Sequence, residues 1–303
     1  MESSDICPKA FFCAELARQH CEPIYGTASR FQFLYLLEYD AAWGAKPFVD
    51  STIDPAVKAH LSAQVQAIGN GRILFVKQAE KTDNKINLFI VCAHPVTPYY
   101  NHIQLNDYAD LLNLDLAASL ERCATSKIDP LYMVCTNGNK DKCCAKFGMA
   151  CYKELLKHIP AQRLWQCAHV GGDRFAPNIV TAPSGAYFGG MPMDHVPALV
   201  AGIENNQIDL TYYRGRPWYA KHIQSAEYFA RVEWDNQNFY DLEVVDQNVT
   251  DQTAHVTFRE ISTGRVIAVD LVLEVSAYES FLSCNDKTQS RAEFYTLVRL
   301  KGL

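Results

Sequence analysis

The sequence predicts a mixed α/β (α+β) protein, and three observations carry that expectation. Between residues 131 and 204, apolar segments of strand and helix length follow one another as strand, helix, strand, hairpin and helix. A set with a similar order and similar offsets runs from Phe33 to Cys123. Beyond residue 215 the pattern changes to one helix followed by segments of period two, as an antiparallel sheet requires. A chain of 303 residues favours more than one compact unit, and with nearly half its residues hydrophobic each unit can bury a core.

The first set opens with residues 31–39, an aromatic-rich buried strand. Val57, Leu61, Val65 and Ile68 recur at helical spacing after Pro55, and the Gly69 to Gly71 stretch stops that helix. Strands are expected at Ile73–Lys77 and Ile86–Ala93, and a helix over Tyr108–Cys123 with Leu111, Leu112, Leu116 and Leu120 in phase. The second set comprises a strand at Leu131–Cys135, a helix at Ala145–His158 and a strand at Leu164–Cys167. A hairpin of Ile179–Ala182 and Ala186–Phe188 turns on Pro183-Ser184-Gly185, and a helix covers Val196–Glu204. This is the order of a thioredoxin-like unit, and the earlier set allows a degenerate tandem of two. The remainder reads as a helix at Pro217–Arg231 and strands at Thr253–Phe258, Val266–Leu273 and Phe294–Leu300. The division expected is 1–125, 126–212 and 213–303.

Composition excludes several classes. A net charge of −6, from 28 basic and 34 acidic residues, argues against nucleic acid as the ligand. No apolar run approaches the roughly 20 residues of a membrane span. The start, Met1-Glu2-Ser3-Ser4-Asp5, is acidic where a secretory leader is basic and then apolar, so a soluble, cytoplasmic protein is expected. Eleven cysteines, an odd number, then read as core residues, ligands or nucleophiles rather than a disulfide framework. Cys92 and Cys123 sit in apolar patterns and read as core. Cys7, Cys13 and Cys21 lack the common metal spacing and read as structural, and Cys284 joins two C-terminal strands.

The segment with chemistry is Cys135-Thr136-Asn137-Gly138-Asn139-Lys140-Asp141-Lys142-Cys143-Cys144-Ala145. It leaves a strand end, crosses a polar loop and enters a helix, where a thiolate gains from the helix N-terminus. Its partner is Trp165-Gln166-Cys167-Ala168-His169-Val170-Gly171-Gly172-Asp173-Arg174-Phe175-Ala176-Pro177-Asn178, which leaves a second strand end through a glycine pair. Strand ends in an α/β sheet share a crevice, which gathers Cys167, His169 and Asp173 with Cys135 and Cys144. An isolated histidine most often satisfies its own loop, but here the glycine pair and neighbouring cysteines favour a ligand. Sulfur with imidazole suits iron–sulfur or zinc and suits calcium or magnesium poorly.

These two runs resemble the sucrase/ferredoxin-like family, which is similar to thioredoxin-like 2Fe–2S ferredoxins. The resemblance extends to Gly26-Thr27-Ala28-Ser29, Leu36-Leu37-Glu38 and Trp43-Gly44 near the start, and to Arg214-Gly215-Arg216 and Ser283-Cys284 later on. It implies a 2Fe–2S cluster with Cys135 and Cys144 as the first ligand pair, Cys143 as the alternative to Cys144, and His169 as a histidine ligand. Some relatives carry a second histidine where this chain has Asp173, so either Asp173 ligates through oxygen, or Cys167 replaces it, or the cluster is incomplete. Imidazole ligation implies a raised potential that varies with pH. Lys140, Lys142, Lys146 and Arg174 surround the site as a basic collar on which an acidic redox partner protein would dock.

The leading reading is therefore an electron carrier or redox component rather than a stand-alone enzyme, with no catalytic residues assigned. The alternatives are a thiol–disulfide redox protein on the same scaffold and a structural zinc protein. The chain has no Gly-x-Gly-x-x-Gly fingerprint and no phosphate loop, and nothing in its residues points to sugar hydrolysis.

Overall fold

The computed structural model describes residues 11–81, 84–121 and 129–302. A short helix α1 (Cys13–Gln19) precedes the first strand, β1 (Phe33–Glu38). There follow α2 (Pro47–Asp50), α3 (Pro55–Ile68), β2 (Gly71–Lys77), β3 (Ile86–Cys92) and β4 (Tyr99–Leu105). Asp54 caps α3 by accepting from Ala56 N at 2.7 Å, Pro55 opens it and Gly69, at φ +75°, closes it. The second set runs β5 (Leu131–Cys135), α4 (Met149–Leu155), β6 (Leu164–Cys167), β7 (Asn178–Ala182), β8 (Tyr187–Gly189), α5 (Val196–Glu204) and β9 (Tyr213–Gly215).

These nine strands form one sheet in the order β4-β3-β1-β2-β6-β5-β7-β8-β9. In the second set β5 is parallel to β6 and antiparallel to β7, and β8 is antiparallel to β7. With α4 after β5 and α5 after β8, this is the thioredoxin-like order. The first set repeats it: β1 is parallel to β2, antiparallel to β3, and β4 is antiparallel to β3. The two sets meet edge to edge where Val76 and Lys77 of β2 pair with Cys167 and Gln166 of β6. One apolar cluster runs through both sets, from Leu34 and Phe89 to Trp165 and Tyr187, and a second packs β5 to β9 against α4 and α5.

The helix expected over Tyr108–Cys123 is not present in that form. Short 3₁₀ turns occupy Tyr108–Asn113 and Ala118–Leu120, and Cys123 lies outside the described residues, as does Cys7. The apolar spacing is helical, but Asp115 takes Ala118 N on its side chain at 3.0 Å and ends the continuous ladder. The helix over Ala145–His158 is also shorter, with a π turn at Cys144–Gly148 leading into α4.

The last part is α6 (Lys221–Trp234) against an antiparallel sheet of β10 (Leu242–Val249), β11 (Thr253–Glu260), β12 (Val266–Val275) and β13 (Glu293–Gly302), in that order. Ile223, Ala226 and Ala230 of α6 pack on Val256, Phe258, Ile267 and Val269. Beneath them, Glu227 is fully buried and accepts from Arg231 Nη2 at 2.9 Å and Tyr213 OH at 3.0 Å, with Arg216 Nε at 3.3 Å. Among the described residues no helix is long and apolar enough to cross a membrane. Glu227→Gln leaves two buried guanidinium groups without their counter-charge and is expected to cost about 3–5 kcal/mol, read as a lower urea midpoint with an unchanged slope.

Candidate metal centre

Both cysteine loops are placed by bonds that reach across the chain. The first leaves β5 at Cys135, and Asn137 and Asn139 donate to Gly44 O at 3.0 Å and Trp43 O at 2.7 Å. The Asp141 side chain then accepts from Cys143 N at 2.8 Å and starts the turn into the π stretch. Stretches of that kind recur at functional sites. Gly148 on its far side permits the close packing: a Cβ there would stand 1.9 Å from Cys135 O. The second loop leaves β6 at Cys167 and turns at Gly171 and Gly172, with φ of +88° and +77°. Arg214, fully buried, fills the space against this turn, donating to Gly171 O at 3.0 Å, Asn178 Oδ1 at 2.6 Å and Thr27 O at 2.7 Å. Ser29 Oγ adds a bond to Val170 O at 2.7 Å.

Between the loops, Cys135 Sγ lies 3.3 Å from Cys144 Sγ, and the donor atoms of Cys135, Cys144 and His169 all fall within 4.8 Å of one another. Asp173 is buried and its Oδ1 lies 3.5 Å from Cys144 Sγ. His169 Nδ1 is 3.3 Å from the same oxygen but without the alignment of a hydrogen bond, so this buried nitrogen has no hydrogen-bond partner among the described residues. Cys167 stands opposite Cys135 in the β5–β6 register, yet falls outside the compact three-donor group.

The electrostatics favour one thiolate here. Hydrogen bonds from Cys144 and then Cys167 hold Cys135 well below the ordinary thiol range despite full burial, with His169 assisting. Cys144 is raised because its proton is held toward Cys135, Cys167 is raised by burial, and burial also raises Asp173. Two soft sulfurs and an unbonded imidazole nitrogen are donors that fit an iron–sulfur centre or zinc.

The two adjacent cysteines part company. Cys144 faces Cys135, whereas Cys143 points the other way, with its Sγ 3.5 Å from Cys13 Sγ and 3.4 Å from Cys284 Sγ. The sequence reads Cys13 as structural, for want of metal spacing, and Cys284 as a residue between two C-terminal strands that shares in the family resemblance; their separations of 130 and 141 residues from Cys143 match no motif. The Asp141 carboxylate beside Cys13, Cys143 and Cys284 stands in the loop motif, but nothing in the sequence marks it as their neighbour.

Of the expected basic collar, Arg174 is paired with Glu22 at 2.6 Å and Lys146 with Glu15 at 3.1 Å. Lys142 stacks its ammonium on Phe11 and Phe12. Lys140 lines a depression of about 270 Å³ with Lys46, Arg72 and His169.

The family model described as sucrase/ferredoxin-like matches residues 24–215, and the chain belongs to that family. No curated protein matches the chain. Among solved structures, a variant of the thioredoxin-like [2Fe-2S] ferredoxin from Aquifex aeolicus matches at 12% identity and a TM-score of 0.26, covering 29% of this chain and 100% of that one.

Gly148→Ala forces its Cβ against the Cys135 carbonyl. It is expected to destabilise the fold by about 1–3 kcal/mol and to lower metal content together with melting temperature. An unchanged melting temperature would show that the helix and strand end are not packed this closely.

Proposed function

We propose that the protein is a one-electron carrier with a 2Fe–2S cluster held by Cys135, Cys144 and His169, the fourth ligand being Asp173 or Cys167. The observation that supports it most is the convergence of two thiol sulfurs and a buried imidazole nitrogen without a hydrogen bond, within 4.8 Å, in a chain of this family. When bound, such a cluster supplies a reversible one-electron step, and imidazole in place of thiolate raises its potential.

The residues of this chain do the rest. Cys135 and Cys144, at 1% and 0% exposure, exclude water and competing thiols from the site. That burial disfavours the thiol–disulfide alternative, because exchange needs an accessible sulfur. His169 is the donor that reaches the surface, with 22% of its side chain exposed, so an electron enters or leaves by the imidazole edge. Around that edge Lys46, Arg72 and Lys140 line the depression, and an acidic partner face docks there. Lys142, Lys146 and Arg174 lie farther into contacts with aromatic rings and carboxylates and contribute to the same field. Asp173, in contact with both Cys144 and His169, either completes the ligand set or orients the imidazole.

Zinc is the second reading, favoured by the compactness of the three donors, which suits one tetrahedral ion. Protein purified without oxygen separates the two. About two irons and two sulfides per chain, with an EPR signal only after reduction, are expected for the cluster, and their loss in Cys135→Ser. A colourless protein that takes up zinc and no iron after reconstitution would overturn the proposal. Asp173→Ala and Cys167→Ala sort the fourth ligand: the substitution that leaves the visible spectrum intact is not at a ligand.

A further inference from the structure

A second group of thiols lies on the other side of the Cys143–Cys144 bend. Cys13 comes from α1, Cys143 from the turn before the π stretch, and Cys284 from the loop between β12 and β13. Their sulfurs form a near-equilateral triangle with edges of 3.5, 3.4 and 3.5 Å. Three thiolates on one tetrahedral zinc, at about 2.3 Å from the metal, stand about 3.7 Å apart, so the triangle needs only slight expansion to hold the ion.

The surroundings are those of bound thiolates. Cys13 N points at Cys284 Sγ at 3.3 Å and Ala14 N at Cys143 Sγ at 3.5 Å, so the opening of α1 directs two amide N–H groups at sulfur. Asp141 stands beside them, buried, 3.8 Å from Cys13 Sγ. Its carboxylate accepts from Cys143 N at 2.8 Å, Cys284 N at 2.7 Å and Ser283 Oγ at 2.8 Å, which fixes both cysteine loops to one anchor. All four donor atoms lie within 4.8 Å of one another. The apolar packing at this point is small, little more than Ala14 and Ala176 with parts of Phe11, Phe12 and Phe147. Sulfur and one carboxylate thus supply the buried polar contacts that join two distant segments to the site loop, beside rim contacts such as Lys146 with Glu15 and Phe12 with Phe147. Cys13 and Cys284 both lie outside the stretch matched to the family, residues 24–215.

We infer that Cys13, Cys143 and Cys284, with Asp141 as fourth donor, bind one zinc-type divalent cation distinct from the Cys135 centre. The ion displaces the thiol protons to solvent and cross-links α1 and the 276–292 loop to the segment that carries Cys144. Because Cys143 and Cys144 are consecutive, the ion also fixes the backbone that presents Cys144 to the other site.

The test uses the full chain, purified without oxygen, passed through chelator-treated buffer and assayed for zinc and iron together. Wild type is expected to hold about one zinc per chain beside its iron, and Cys13→Ala/Cys284→Ala less than a tenth of that. Cys135→Ser, which removes a ligand of the first centre, is expected to keep the zinc. Cys284→His retains a zinc donor and is expected to retain the ion, which separates lost ligation from lost folding. Cobalt(II) added to chelator-stripped wild type is expected to give intense tetrahedral thiolate bands that are absent in the double variant. A wild-type protein with no zinc and no such cobalt spectrum, or a double variant that keeps both, would overturn the inference.

Discussion

The guanidinium of Arg214 is the contact on which the site depends. It is fully buried and, among the described residues, finds only neutral acceptors: the Gly171 carbonyl, the Asn178 amide oxygen, and the carbonyl and hydroxyl of Thr27. Burial pulls its pKa down to about 10, while the nearby Asp173 and Cys135 pull it up. A cation kept in a low-dielectric interior exerts a strong field, and here it interacts favourably with the Cys135 thiolate and the Asp173 carboxylate. The same planar fork fixes the second loop mechanically. Gly172 has no room for a Cβ because Arg214 Nη2 would stand 2.1 Å from it, so the loop that presents His169 is moulded around the arginine. Lysine has neither the fork nor the number of donors to replace it.

The tandem architecture gives the two loops something to close against. β2 of the first set pairs with β6 of the second at Val76 and Cys167, and Ala168 N continues the contact by donating to Phe75 O at 2.9 Å. Among the described residues, the first set contributes no cysteine to the centre. It contributes Trp43 and Gly44, and the segment before β1 contributes Thr27 and Ser29, whose backbone or hydroxyl groups hold the two loops. Residues far apart in sequence that carry the family resemblance therefore meet as supports of one site.

Much of this was legible in the sequence, for physical reasons that differ by element. Strands buried on both faces, such as Leu131–Cys135, read as continuous apolar runs and were placed to the residue. Short turns read well where proline and glycine specify them. The first-set helix failed because a helical apolar spacing says nothing about aspartates that claim backbone N–H groups for turns. Strand β10 was missed because Leu242–Val249 is mostly solvent-exposed and its alternation is weak. At the site, loop chemistry singles out Cys135, Cys144 and His169, whose donor atoms the fold brings within 4.8 Å, but it leaves open which of Cys143 and Cys144 faces them. Which of two consecutive side chains faces a given crevice depends on the phase of the turn, and the π stretch sets that phase. Cys13 and Cys284 were invisible as a pair with Cys143 because only the folded chain brings α1 and the C-terminal loop to the same point.

The central claim is that His169 binds iron beside two thiolates. Its most direct measurement is pulsed EPR of the reduced protein labelled with ¹⁵N only at histidine. A hyperfine coupling to ¹⁵N from a directly bound imidazole nitrogen is expected, absent from His169→Cys even where that variant keeps its iron. A reduced cluster with no histidine coupling, or one whose coupling persists in His169→Cys, would contradict it.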